Sequence, residues 1–501
     1  VGGGTQSMLW DTKLQRLAAQ VLADLVSIEY NQKVYVSLGG LEKTYHLVQT
    51  TSSPSIRRIM SKVMYNLSTN DLIKERMVET GALEALFYLS PIPDDMIRRS
   101  AFGALRRLSS SRHNQEVWGE ANIVIMLRYL EDTTLDMRMQ ICCLDTIMHL
   151  SECHQNRLTL VNNPGSTQLL AKFLDLEQYD DDVHVLAARV IGRLAASPDA
   201  RKLLGVDEVL LPLLTSMEHC LLVQDKENLR MDLDALAAIS DCANNHDKVL
   251  RIGFLDHLFK ATSMDKSIKR VALRIVRLCS TVSGETALFY KPYMPKIVSF
   301  MVRARDFAVQ CEALEMLSRL CEEEALLETC VPYVEELMGQ LDQWGMLPDE
   351  KLNRMSARLA ANLVSSSDAR QKLDTRQREH ILKTFMDLTK SRDPQSQAES
   401  TRFLVNMAKS SEEVRTKLVE MGIVWRLRKV ENSASSSAFA KLHAKECLNV
   451  HLKDHVSAIL IQSIVRGRIQ RRLAERRVNQ LRKERDEKIA AEKGAEEKDK
   501  P

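Results

Sequence analysis

The sequence predicts an all-helical chain built from tandem repeats. Three observations carry that expectation: turn formers are scarce, aromatic residues are few, and one apolar helical block returns at a near-constant interval. Of 501 residues only 18 are Gly and 12 Pro, and aromatics are 5%. β-Sandwiches, barrels and propellers need many tight turns and aromatic-rich strands, so those classes are disfavoured. Hydrophobic residues at 45% and charged residues at 27% supply enough apolar surface for folding rather than disorder.

The recurring block has small and apolar residues at helical spacing and ends in an apolar residue before Ser or a polar loop. It appears as LAAQVLADLVS, RRIMSKVMYNLST, RRSAFGALRRLSS, MQICCLDTIMHLSE, LAARVIGRLAAS, MDLDALAAISDC, KRVALRIVRLCS, VQCEALEMLSRLCE, RMSARLAANLVSS and AESTRFLVNMAKS. Alignment places one anchor in each: Leu25, Leu67, Leu108, Leu150, Leu194, Ile239, Leu278, Leu320, Leu363 and Met407, with an eleventh at Val450. Their separations, about 39 to about 45 residues, lie in the range of two- and three-helix repeats. After each anchor come a polar loop, a short amphipathic piece, often a Gly, and an apolar helix. Gly39, Gly81, Gly165, Gly205, Gly253 and Gly422 fill that place, where a left-handed residue ends one helix and lets the next start at a sharp angle. Pro198, Pro212, Pro292, Pro332 and Pro394 stand at or near junctions or helix starts, where a missing N–H is tolerated. Units without the Gly, around KPYMPKIVSFM and CVPYVEELMGQL, are expected to be distorted.

The period of about 42, the Gly before the last helix and blocks such as VMYNLST resemble armadillo repeats over residues 11–450, with HEAT repeats the close alternative. The resemblance implies a right-handed superhelical solenoid of about ten three-helix repeats, the last helix of each lining a concave groove. Armadillo proteins that hold extended peptides use an Asn near the end of that helix to bond the peptide backbone. The residue before the anchor is Asn at Asn66, Asn362, Asn406 and Asn449, while the middle of the chain carries Arg107, Arg193, Arg277 and Arg319. Guanidinium forks pair with carboxylates and stack on aromatics. Asn66, Arg107, Arg193, Arg277, Arg319, Asn362 and Asn406 are therefore the candidate groove residues, and the expected partner is a protein with an acidic or extended segment. The Trp of nuclear-import adaptors is replaced by Lys62, Arg358 and Arg402, which argues against that role.

Beyond the repeats, DHVSAILIQSIVRGRIQRRLAERRVNQLRKERDEK contains no Pro and one Gly and reads as a long helix. Ile461, Gln462, Arg466, Gly467 and Arg471 occupy the defining positions of an IQ motif. Ile461, Val465 and Ile469 form an apolar stripe flanked by basic residues, as a helix entering a calmodulin-type groove requires. The resemblance implies binding of calmodulin or a calmodulin-like EF-hand light chain without a calcium requirement, one light chain for the single motif. From Arg466 to Lys483 there are eight Lys or Arg and one acid, so the net charge of +3 conceals a basic helix on a mildly acidic remainder. The expected organisation is a flexible segment at 1–10, the solenoid at 11–450, the IQ helix at 451–483 and a frayed or disordered charged tail at 484–501.

Patterns for phosphate-binding loops, zinc proteases, hydrolases and EF-hands do not occur. Cys142, Cys143, His149, Cys153 and His154 form the densest cluster of metal-ligand types, but neighbouring Cys on one helix point apart, and buried thiols explain them more simply. No catalytic residue, metal or cofactor is expected. Ten Cys without disulfide spacing suggest reduced, intracellular thiols, and no apolar run of about 18 residues suggests a membrane span. The first residue is not Met, so a targeting peptide would be invisible. The expectation is a non-enzymatic cytoplasmic scaffold within a larger complex, in a cytoskeletal or ciliary setting, with no nucleic-acid partner. A cargo adaptor and a noncatalytic subunit of an enzyme complex are the alternatives.

Overall fold

The computed structural model describes residues 3–132, 135–373, 375–460, and then 462–463, 466, 469–471, 473–475, 477–478 and 480. Among these, every regular element is a helix. The long helices are α1 (Gly3–Leu25), α2 (Pro54–Leu67), α3 (Asp95–Leu108), α4 (Met137–Leu150), α5 (Asp181–Leu194), α6 (Lys226–Ser240), α7 (Lys266–Cys279), α8 (Phe307–Leu320), α9 (Glu350–Leu363), α10 (Pro394–Ala408) and α11 (Ala438–Glu446). Shorter helices, such as Lys74–Glu79 and Ala82–Leu89 before α3, complete three-helix repeats. The first helix, α1, begins at Gly3. The chain forms an all-α solenoid.

It divides into two compact units, Val1–Phe289 and Tyr290–Pro501. In the first, each long helix lies against the next from α1 to α7; in the second, α8 to α11 do the same. The division falls within a 3₁₀ run, Gly284–Tyr293, beside the Gly-less block expected to be irregular.

Two local devices set the length of the long helices. Ser53, Asp94, Asp136, Asp225, Asp265, Asp306, Asp349 and Asp393 are N-caps whose side chains accept bonds from first-turn N–H groups. At the other end, a side chain six residues further on donates to a terminal carbonyl: Asn114 to Leu108 (2.9 Å), Arg157 to Ser151 (2.8 Å), Asn245 to Ile239 (3.0 Å) and Arg370 to Val364 (2.6 Å). Asn114 and Asn245 also bond Lys74 O and Arg201 O in the preceding repeat, tying neighbours together. The caps serve a second purpose. Asp94, Asp136 and Asp393 accept Arg58 (2.5 Å), Arg99 (2.9 Å) and Arg354 (3.2 Å) from the preceding long helix, which fixes how successive helices align.

The anchor register differs from expectation in three places, at α7 by its cap and at the two ends by exposure. Seven long helices have 14 residues, and α7 among them runs from its cap Asp265 to fully buried Cys279, so Cys279 takes the place assigned to Leu278. Leu25 is 48% exposed while Val26 is buried, and Val450 is 65% exposed in a π-turn, Cys447–His451. The other eight anchors are buried. Five of the six junction glycines have φ between +72° and +103°. Gly205 does not: its φ is −76°, and it is needed because a Cβ there would stand 2.1 Å from Asn245 Oδ1. Pro212, read as near a helix start, lies inside the helix Asp207–Val223.

The first unit also buries a polar network. His184 on α5 and Asp232 on α6 are both fully buried, with Nε2 and Oδ1 3.1 Å apart. Ser216 donates to the other Asp232 oxygen at 2.6 Å. His184 Nδ1 lies 3.1 Å from Leu174 O; a carbonyl only accepts, so Nδ1 carries a proton. Burial pushes the Asp232 carboxyl up, although His184 and Ser216 pull it down. Burial pulls the His184 imidazole down, but Asp232 outweighs it and leaves it raised.

Candidate protein-interaction ridge

The exposed edge of the stacked long helices is where the sequence places its groove residues. In the first unit, Arg107 of α3 reaches back over Tyr65 of α2, its guanidinium 4.7 Å from the ring centre and Nη2 donating to Tyr65 Oη at 2.9 Å. The ring fits there because residue 103 is Gly; a Cβ would stand 2.7 Å from the ring. Tyr65, Phe102 and the guanidinium-bearing Arg99, Arg106, Arg107 and Arg138 border a cavity of about 190 Å³. Arg99 pairs with Asp136, and Arg106 with the nearly buried Asp145, while no carboxylate pairs with Arg138 or Arg107 among the described residues. Four cations against two anions leave an excess of two positive charges around an aromatic floor, an arrangement suited to a carboxylate beside a flat or apolar group. Arg99, Arg106 and Arg138 were not among the sequence candidates. The signal for Arg99 and Arg106 was available in RRSAFGALRR, where helical spacing gathers arginines on one edge; Arg138 comes from the next long helix.

The other arginines differ in what holds them. Arg193 donates to Met148 O (3.1 Å) and Glu152 (2.6 Å) on the preceding repeat. Burial works to raise Glu152, but Arg193 and Gln115 hold it below the usual carboxylate range. Arg277 is half-buried and sits one position further from its helix end than Arg107 and Arg193 do, because α7 ends at Cys279. In the second unit Arg319 donates to Glu315 at 2.6 Å, and Lys351 reaches the other oxygen at 3.1 Å.

The Asn candidates face their own neighbours. Asn362 is buried, donates to Ser318 O at 3.2 Å and accepts from Arg402 at 2.7 Å. Asn406 donates to Ala361 O at 3.1 Å. Each secures the C-terminal turn of the long helix before it. Asn66 is half-buried, and its backbone carbonyl accepts from Gln32 at 3.2 Å. Asn362 and Arg402, with Glu322, Glu324, Arg370 and Lys372, border a cleft of about 870 Å³ in the second unit, with charges of both signs.

Of the IQ positions, Ile461, Val465 and Gly467 lie outside the described residues, as does the charged tail at 484–501. Gln462, Arg466, Ile469 and Arg471 are helical and exposed, and Leu473 and Val478 further along are exposed apolar residues. In the fourth repeat Cys143 is fully buried and His149 Nδ1 lies 3.1 Å from Ser109 Oγ. Burial depresses the His149 imidazole, and no group of three metal-ligand side chains converges among the described residues. Among those residues no helix is long and apolar enough to cross a membrane.

Comparison by sequence finds no matching family profile and no matching curated protein. By structure, the chain is similar to a crystallised engineered protein, at 18% identity and a TM-score of 0.61, over 82% of this chain and 98% of the other. It is also similar to a structure described as showing a phosphorylation switch that controls the interaction between cadherin and β-catenin, at 15% identity and a TM-score of 0.64, over 88% of each chain. At these identities the likeness concerns the fold alone, an all-α solenoid.

Proposed function

We propose that this protein is a non-enzymatic interaction scaffold that holds an acidic, extended segment of a partner on its ridge and a calmodulin-like light chain on its C-terminal helix. The observation that carries the first half is the cavity at Tyr65 and Arg107, with its unbalanced positive charge and stacked guanidinium. Arg193 and Arg319 extend the recognition surface of their units, and Arg277 joins them. The Arg193–Glu152 pair is partly exposed and worth about 1 kcal/mol or less, so an incoming carboxylate exchanges with it at small cost. Asn66, Asn362 and Asn406 contribute at the two ends of the series, the latter two chiefly by holding the helices that present the arginines. The second half is supported by the exposed Ile469 and Leu473, which with Arg466 and Arg471 are helical residues.

The test of the ridge is fluorescence anisotropy with a labelled Asp/Glu-rich peptide containing one aromatic residue. Arg107→Glu with Arg138→Glu should weaken binding about tenfold or more at low salt and much less at high salt, because exposed charges are screened beyond roughly 10 Å at 0.1 M. Equal affinity for the variant and the wild type overturns the assignment.

A further inference from the structure

The second unit holds a pocket whose lining carries four cations and no acid. Its volume is about 320 Å³, and it lies between two neighbouring repeats at the N-terminal ends of α10 and α11. Asn362 and Asn406 stand near the opposite, C-terminal ends of α9 and α10. The loop leaving the helix Thr375–Leu388 brings Lys390 and Arg392 to the pocket. The helix Ile423–Asn432 brings Arg426 and Lys429, one turn apart. Lys390 pairs with Asp387, while no carboxylate pairs with Arg392, Arg426 or Lys429 among the described residues. Asp393, the next acid in the first loop, caps α10 and accepts Arg354. Three positive charges are therefore left over at one small recess.

Five Ser or Thr hydroxyls stand among these cations. Ser436 is 7% exposed, and its Oγ has no hydrogen-bond partner among the described residues. A buried hydroxyl without a partner is unfavourable, and nearly all such groups in folded proteins find one. Ser391 Oγ accepts from Asp393 N at 3.1 Å and keeps its own proton to give. A carboxylate offers two oxygens and one charge; a phosphate monoester offers three acceptor oxygens and nearly two charges. Two guanidinium forks, an ammonium and unspent hydroxyl donors match the second set.

We propose that this pocket holds a phosphate monoester, carried as a phosphorylated Ser or Thr on a segment of a partner protein. A protein segment is favoured over an anionic bilayer because the hydroxyl at Ser436 is buried within a recess, which a side chain enters and a flat surface does not. The surrounding sequence is also not uniformly basic: Asp387, Asp393 and Glu431 flank the lining residues, whereas attraction to a bilayer needs an uninterrupted basic cluster. The site does not depend on the ridge or the IQ helix.

The probe is the pentapeptide Gly-Ala-phosphoserine-Ala-Gly, blocked at both ends, titrated into the full chain and followed by phosphorus NMR. The expected result is saturable binding, weakened at least about tenfold by Arg426→Gln with Lys429→Gln and about threefold by Ser436→Ala. Inorganic phosphate should compete; the unphosphorylated peptide and its Glu counterpart should not. The ridge variant Arg107→Glu with Arg138→Glu should bind the probe as the wild type does. Among the described residues none of the three replaced pocket side chains bonds another, so circular dichroism should be unchanged. Absence of phosphopeptide binding overturns the proposal, as does equal affinity in the double variant or loss of binding in the ridge variant. Phosphatidylcholine vesicles with and without phosphatidylinositol bisphosphate form the second arm. Co-sedimentation that needs the phosphoinositide and is lost in Arg426→Gln with Lys429→Gln, without phosphopeptide binding, assigns the pocket to a lipid headgroup and overturns the protein-segment assignment.

Discussion

Replacing His184 by leucine removes one partner of a fully buried pair and leaves Asp232 with Ser216 and the weak thiol donor Cys220, its Sγ 4.0 Å away. The carboxylate must then remain charged in an apolar interior, at several kcal/mol, or take up a proton. Protonation at pH 7 against an ordinary carboxyl pKa near 3.9 costs about 4 kcal/mol, and that route caps the penalty. The cap falls by about 1.4 kcal/mol for each pH unit, so at pH 5 it is about 1.5 kcal/mol. The sign is that of a carboxyl whose folded pKa is raised: stability is present while the group is protonated in both states and is lost as pH rises above about 4. Asp232→Asn keeps the shape, accepts from Ser216, offers an N–H to a neutral His184 and carries no such slope. Adding it to His184→Leu should recover most of the loss. Solenoids unfold locally, so hydrogen exchange over Asp181–Leu194 and Lys226–Ser240, corrected for intrinsic rates, is the appropriate assay. Equal destabilisation at pH 5 and pH 7, or no recovery in the double variant, refutes the reasoning.

Other consequences are checked more simply. Asp94→Ala removes both a cap and the acceptor of Arg58, and should lower the stability of α3 by about 1–2 kcal/mol in local exchange. Arg58 holds the Asp94 carboxyl below its ordinary value, so that contribution is present above about pH 4 and is lost as pH falls through the folded pKa; wild type and Asp94→Ala should converge in acid. Gly205→Ala should cost about 2 kcal/mol by displacing Asn245 from two carbonyls, measured by urea unfolding of the first transition. A neutral result there would mean that Asn245 is free to move.

The repeat period, the left-handed glycines and most anchors were legible because each is local and recurs. The register at the two ends and in α7 was not. Leu25 stands next to Val26 and Leu278 next to Cys279, and in each pair apolarity does not choose which residue turns inward. For α7 the capping Asp does, since the interval from cap to anchor is constant; α1 has no such cap, and only its packing against α2 turns Val26 inward. The role of Asn362 and Asn406 was illegible for a different reason. An amide near the end of a ridge helix bonds a partner's backbone or the preceding helix with the same donors, and only the spacing between helices decides. Burial of His184 and Asp232 depends on two helices from different repeats meeting, which hydropathy within either one does not reveal.

In the proposed function one chain holds two ligands at separate places. Calorimetric titration of calmodulin into the full chain, with and without saturating acidic peptide, tests it most directly. The expected result is one calmodulin per chain, an affinity unchanged by the peptide, and loss of calmodulin binding in Ile461→Ala with Gln462→Ala while the peptide still binds. Binding of calmodulin to that variant with wild-type affinity, or displacement of one ligand by the other, contradicts it.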